Sequence, residues 1–462
     1  MLRIDAFSRL FEMIFYAALL LALLGNWDRL SATPLKRLAL KTQPDEAVET
    51  RRLMRLMNNR RQVDFYLLVL MVALGMSVVA LSVNLFVLFV GLELASLASY
   101  VLVAFLKETK TGSEAGLKYF IVGSVSSAVG LYGISMLYIW NGDLSIYGSN
   151  GLAEKWVTEG PNAMAMMGLG FMLVAFGFKV SAVPFHFVAP DAYSGAAAPV
   201  AGVLATASKA MGFLALMRVL IGVTLGEGEN AWFVLIGLIA AVTMTWGNIA
   251  ALGSRNPKRM LAYSSVAHAG YMLAGIAAIG ALGPGESSEL IATAIIFHLA
   301  VLVTFKLGAF LVISLLECEG RGHELEHYHG LARRDPLIAI SMLIFMLALA
   351  GVPPLSGFLS KLMMVSGIIS GTLGDVTTVG DLSWVFWLAI LIFVNSALSI
   401  FYYLRVVVVM FFEDTDRPVR LSRAPMLRIA IMLCTMGAVV FGFGQLADSL
   451  VNAAADAAAL FP

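Results

Sequence analysis

The chain has 462 residues, 60% of them hydrophobic and only 13% charged, with a mean hydropathy of +0.86 and a net charge of +1. Soluble domains lie nearer half apolar and about a quarter charged, so lipid is the solvent this composition fits. The near-neutral balance, without basic residues interleaved with aromatics, excludes a nucleic-acid partner.

The first apolar stretch, Ala6 to Leu24, is followed by Arg29 and lacks a small-residue cleavage pattern, which predicts a retained helix in place of a removed leader. A spanning helix needs roughly 20 apolar residues. Twelve stretches qualify, at about 7–25, 64–83, 85–106, 115–140, 163–188, 197–222, 231–253, 261–281, 288–316, 336–370, 383–412 and 426–447. The expected fold is therefore all-α, a polytopic transmembrane helical bundle of about 12 spans. Between the first two spans, residues 26–62 read as a long polar loop, with a short amphipathic helix at Ala47 to Met57.

Lys and Arg accumulate in short cytoplasmic loops. One set of loops holds Arg29, Lys36, Arg37, Lys41, Arg51, Arg52, Arg55, Arg60 and Arg61, then Lys107, Lys110, Arg255, Lys258, Arg259, Arg333, Arg334, Arg417, Arg420 and Arg423. The opposite set has Arg3 and Lys155 beside Asp143, Glu227, Glu229, Glu286, Asp375 and Asp381. This alternation predicts an integral protein of the cell's inner (plasma) membrane with both termini outside the cytoplasm.

Several charges fall inside the apolar stretches: Glu93 in FVLFVGLELASLASY, Lys179 in LVAFGFKVSAVPFH, Lys209 in VLATASKAMGFLALM and Lys306 in AVLVTFKLGAFLVI. A charge at a helix centre costs about 2.5 to 3.5 kcal/mol even on a lenient scale, so such residues face the bundle interior and mark an ion or proton route. Lys118 lies nearer a helix start, where Glu114 four residues earlier offers a plain i,i+4 pair. At about 6.5 Å and an effective dielectric near 20, one Glu93–Lys179 pair would be worth roughly 2.5 kcal/mol. Moving one charge against 100 mV takes about 2.3 kcal/mol.

Prolines interrupt two of these spans. Pro184 and Pro190 follow Lys179, and Pro353 and Pro354 precede Lys361 in GVPPLSGFLSKL. The freed carbonyls need protein or water at membrane depth. A lysine beside a break in each half is the mark of two inverted repeats. The expected division is an N-terminal helix and loop at 1–63, halves at 64–222 and 231–412, and a C-terminal helix within 413–462. His186, His268 and His298 add groups that pass protons near neutral pH, amid Ser181, Thr206, Ser208, Tyr263, Ser264 and Ser265. The loop histidines His323, His327 and His329 read as solvated residues in preference to a metal site. Cys318 and Cys434 stand apart without zinc, cluster or redox companions, so the chain is expected to hold no cofactor and no metal.

The stretches VLFVGLELASLASYVLVAF, EAGLKYFIVGSVSSAVGLYG, FGFKVSAVPFHFVAPDAYSGAAAPVAG, GNIAALGSRNPKRMLAYSSVAHAGYM, GVPPLSGFLSKL and NSALSIFYYLRV resemble the antiporter-like membrane subunits of respiratory complex I, most closely its subunit N. The resemblance covers about residues 60 to 410. It implies a proton-pumping membrane-arm subunit with two inverted half-channels, partnered by other membrane-arm subunits that handle the electrons. Glu93 and Lys179 would then be the coupling pair of the first half, Lys209 part of the central axis, Lys361 the terminal lysine, and His186 and His268 connecting histidines.

Two departures accompany it. The family has fourteen helices and this chain would begin at the third. Lys306 also sits where subunit N often lacks a charge and where other antiporter-like members have lysine, which keeps a related archaeal complex in view, one oxidising a reduced deazaflavin or ferredoxin and reducing methanophenazine. The alternatives are a subunit of a sodium/proton antiporter or membrane-bound hydrogenase, or a secondary solute transporter.

Overall fold

The computed structural model describes residues 2–38, 47–106, 109–225, 231–373, 382–414, 421 and 423–459, except the side chains of 28–60 and 231. Lys41, Lys107, Arg417, Arg420, Glu227, Glu229, Asp375 and Asp381 lie outside the described residues, as do the side chains of Arg29, Lys36, Arg37, Arg51, Arg52, Arg55 and Arg60.

The chain starts with α1 (Ala6–Leu38) and α2 (Ala47–Leu81), whose apolar parts are Ala6–Trp27 and Arg61–Leu81. Residues 26–62 are thus not a long loop with one short helix: both helices run out of their apolar spans into this polar segment.

Next come α3 (Leu85–Val103), α4 (Lys110–Asn141), a short α5 (Leu152–Thr158) and α6 (Ala163–Val180). Asn84, Thr109 and Asn162 cap α3, α4 and α6, each side chain accepting from backbone amides of the first turn. After α6 the chain is irregular until α7 (Ala189–Gly195), followed by α8 (Ala198–Ala205) and α9 (Ala207–Thr224). The predicted span 163–188 therefore ends as helix at Val180, where Ser181 takes a left-handed conformation with φ of 60°. The span expected at 197–222 has a break of its own at Thr206, with φ −123° and ψ −84°.

The second half holds α10 (Ala231–Gly253), α11 (Pro257–Leu282) and α12 (Glu286–Glu317), a single-turn α13 (Leu331–Arg334), then α14 (Pro336–Ala350), α15 (Ser356–Thr372) and α16 (Trp384–Phe412). The stretch predicted as one span at 336–370 is two helices, parted at Gly351 with φ 83° and the Pro353–Pro354 pair. The chain closes with α17 (Pro425–Val440) and α18 (Gln445–Ala458), bent by 83° where a continuous helix at 426–447 was expected. Glycine sets that bend. A Cβ on Gly442 would lie 2.1 Å from the Pro354 carbonyl oxygen, and Gly444 has φ 79°.

Among the described residues there is no strand, and ten helices are long and apolar enough to cross a membrane, or eleven if α17 and α18 count as one span. The apolar core of α8–α9 is 100% buried and those of α11 and α12 are 89% buried, against 33% for α4 and α16, so α8, α9, α11 and α12 form the centre. Small residues permit it. Added Cβ atoms on Gly247 and Gly270 would come within 2.6 Å of Ala267 N and 2.4 Å of Met244 N, so α10 and α11 pack backbone to backbone.

Candidate functional site

The sequence-selected groups of the two halves form two clusters of different character. In the first half, Glu93 of α3 accepts a hydrogen bond from Ser127 of α4. Lys179, in the last turn of α6, donates to Ser96 Oγ at 2.5 Å and lies 6.0 Å from the centre of the Tyr100 ring. Ser96 stands one turn after Glu93 on α3 and donates to the Leu92 carbonyl. Among the described residues no ion pair within 4.0 Å joins Glu93 to Lys179; each meets its own serine, Ser127 for Glu93 and Ser96 for Lys179. Glu93, Ser127 and Lys179 are half-buried in the isolated chain.

The second cluster is enclosed. Lys209 of α9, 1% exposed, donates to the carbonyl of Ser265 on α11. Lys306 of α12, fully buried, donates to the neighbouring Ser264 hydroxyl at 3.0 Å. Two adjacent residues of α11 thus receive amines from α9 and α12.

From Ser264 a run of side chains continues. Ser264 Oγ is 2.5 Å from Tyr403 Oη, which lies 3.4 Å from His268 Nε2. His268 Nδ1 is 2.9 Å from His298 Nε2, and His298 Nδ1 is 2.8 Å from Ser360 Oγ, next to Lys361. The two imidazoles are stacked, with centroids 5.1 Å apart. Lys361 donates to the carbonyls of Leu349 and Ala350 at 3.0 and 3.1 Å and lies 5.4 Å from the centre of the Tyr271 ring.

These carbonyls end α14, where the break leaves them without helical partners. The negative end of a helix is a favourable place for an ammonium group. Chemically, an imidazole can accept a proton at one nitrogen and release one from the other, so a Ser–Tyr–His–His–Ser run can pass protons between lysines without moving backbone.

Two sequence-selected residues fall outside both clusters. Lys118 sits in an exposed ion-pair group, 2.6 Å from Glu114 and 3.0 Å from Asp191, which also binds Arg259 at 2.5 Å. His186 lies in the irregular segment after α6, half-buried, its ring edge-on to Trp246 at 6.2 Å and apart from the His268–His298 pair. The loop histidines are engaged locally: His327 Nδ1 accepts from Gly322 N at 3.1 Å, and His329 faces Glu413 at 2.8 Å.

Sequence reasoning missed several groups. Tyr403 links serine to histidine, and Ser360 ends the run beside Lys361. Asn248 joins Tyr271, Asn395 and Tyr402 through bonds of 2.9 to 3.1 Å. Arg218 of α9, 2% exposed, donates to the Ser82 carbonyl and faces Asp5 at 3.5 Å. Its setting in FLALMRVLIGV is as apolar as that of the selected lysines, so the signal was present. Tyr403 and Ser360 carried none, because a hydroxyl on a spanning helix ordinarily serves helix packing. Lys258, counted among the loop cations, is instead 1% exposed and bound to Glu317 at 2.7 Å.

Residues 82–386 match the transmembrane family described as NADH:quinone oxidoreductase/Mrp antiporter. NADH-quinone oxidoreductase subunit N of Myxococcus xanthus (strain DK1622) is 37% identical over 411 residues, covering 82% of this chain and 75% of that one. Among solved structures, a chain of respiratory complex I from Thermus thermophilus with bound aureothin superposes with a TM-score of 0.70 at 30% identity, covering 95% of this chain and 84% of its own. A chain of the Mrp complex from Dietzia sp. DQ12-45-1b shares the fold at 22% identity, with a TM-score of 0.73 over 85% of this chain and 77% of its own.

Proposed function

We propose a function from one premise: the chain belongs to the NADH:quinone oxidoreductase/Mrp antiporter transmembrane family and is similar to its subunit N members. It is an integral membrane protein that translocates protons as a membrane-arm subunit of a complex I-like respiratory oxidoreductase. Partner subunits carry out electron transfer from NADH, a reduced deazaflavin or ferredoxin to a quinone or methanophenazine. This chain contributes no redox centre and moves protons through its buried Lys, Glu and His residues and intervening water.

The observation that carries this reading is the continuous buried run from Lys306 through Ser264, Tyr403, His268 and His298 to Ser360. Burying such groups without a task is expensive, because lipid-depth polar atoms are stable only when paired. The basic residues Arg259, Arg333 and Arg423 gather at one end of the bundle and support a cytoplasmic assignment for that end, in the cell's inner (plasma) membrane. Both termini then lie on the opposite face.

The test uses the assembled complex in sealed vesicles. Lys306→Met is expected to lower the number of protons translocated per electron, with the electron-transfer subunits still assembled; an unchanged ratio overturns the reading. A second reading, a subunit of a sodium/proton antiporter, is favoured by the fold shared with the Mrp chain. Translocation that requires sodium would select it.

A further inference from the structure

We propose that Lys258 and Glu317 are positioning residues: they grip the joint between α7 and α8 and hold the broken region of the first half in register with the lysine row of the second. This rests on the proton-translocating reading above and deepens it.

Their placement runs against the interest of the helices that carry them. Lys258 is in the first turn of α11, where the macrodipole disfavours a cation, and Glu317 is the last residue of α12, where it disfavours an anion. Both side chains are withdrawn from solvent, at 2% and 4% exposure, which adds a desolvation cost that apolar residues would not incur. Neither helix gains from this arrangement.

The gain lies at the joint. Lys258 Nζ donates to the Ala196 carbonyl at 2.6 Å, and Glu317 accepts from Ala198 N at 3.2 Å, while the two side chains meet at 2.7 Å. The pair therefore satisfies one group on either side of Ala197, where α7 has ended, α8 has just begun and the backbone is extended. Ala198 N is a first-turn amide with no partner inside its own helix, and a carboxylate there is favoured by the α8 dipole. Arg259, the next residue of α11, extends the grip to α7 through Asp191 at 2.5 Å.

What is gripped leads straight to the central axis. From Ala198 the chain enters α8 and then α9, whose apolar core is entirely buried and which carries Lys209. On the other side of α7, the irregular segment runs back to Lys179 at the end of α6. Gly212 of α9 also packs against Lys179, since a Cβ there would lie 3.1 Å from the lysine Cβ. A shift of the joint thus moves Lys209 relative to Ser265 and Lys179 relative to Ser96. Among the described residues the carbonyls at the second break are held by Lys361 of its own half.

The experiment compares Glu317→Gln, Lys258→Met and the charge-swapped pair Lys258→Glu with Glu317→Lys in the assembled complex, reading protons per electron in vesicles and amide exchange of residues 189–205. Each single variant is expected to lower the ratio to the level of Lys179→Met, to add nothing when combined with Lys179→Met, and to speed exchange at the joint by about tenfold, the change that about 1.4 kcal/mol of lost holding energy produces. The swap is expected to recover most of both.

Single variants that assemble with a normal ratio overturn the proposal, as does an assembled swap that recovers exchange without recovering the ratio. Failure of every variant to assemble overturns it too, since the pair would then serve stability alone. If Lys179→Met itself leaves the ratio unchanged, the broader functional reading has failed, and the joint-exchange result still reports on the clasp.

Discussion

The two breaks place their lysines differently. Each has a left-handed residue three positions before a proline, Ser181 before Pro184 and Gly351 before Pro354. In the first, Lys179 belongs to the helix that ends, and its amine leaves the break for Ser96 on another helix. In the second, Lys361 belongs to the helix that begins, and its amine returns to the two carbonyls the break has orphaned. A break of one local form therefore yields an amine sent across to a buried serine of α3 in one half, and an amine folded back on its own break in the other. The second half carries an enclosed run of side chains that includes Tyr403 of α16, while the first-half groups end at single serines.

The largest effect separating the halves is expected from His298→Ala. It removes the link between His268 and Ser360 without touching either break, and proton passage through this chain should slow about a hundredfold, the lower range for losing a positioned acid–base group. Vesicle acidification rates check it, and a rate near that of the native protein would sever the run from function.

Gly357→Ala tests how tightly the second break is built, since the added carbon would lie 1.9 Å from the Ala348 carbonyl oxygen. It should destabilise the fold by about 3 kcal/mol, the upper range for overpacking, seen as a lower midpoint of thermal inactivation of the assembled complex.

Ser96→Ala removes the partner of Lys179. The translocation rate is expected to fall by about tenfold, corresponding to about 1.4 kcal/mol, near the lower end for a hydrogen bond to a charged group. A drop as large as that of His298→Ala would erase the contrast between the halves.

The smallest effect is expected from Lys118→Met. Its ion pairs with Glu114 and Asp191 are exposed, so translocation should stay within about twofold of native; a larger loss would bring Lys118 into the first-half site.

Much of this site was legible because lipid penalises charge. Lys179, Lys209, Lys306 and Glu93 stood out against apolar neighbours, and Pro184 and Pro354 marked where helices must fail. Lys118, read as either a buried charge or an i,i+4 partner of Glu114, sits in a surface ion-pair group, and His186, chosen as a group that titrates near neutral pH, faces an aromatic ring. Tyr403 and Ser360 were silent, since a hydroxyl is cheap on a spanning helix whether or not it conducts.

The sequence by itself determined the membrane-embedded all-α class, the positions of the two proline breaks and the identity of the buried amines. These follow from hydropathy, from proline's missing donor and from the energy of charge in hydrocarbon, all of which act residue by residue. Tertiary structure alone decided the partners: that Lys179 reaches Ser96 while Glu93 takes Ser127, that His268 stacks on His298, and that Lys258 leaves the loop to meet Glu317. Such contacts join residues 30 to 83 positions apart, and their geometry depends on helix rotation and packing, which no local pattern encodes.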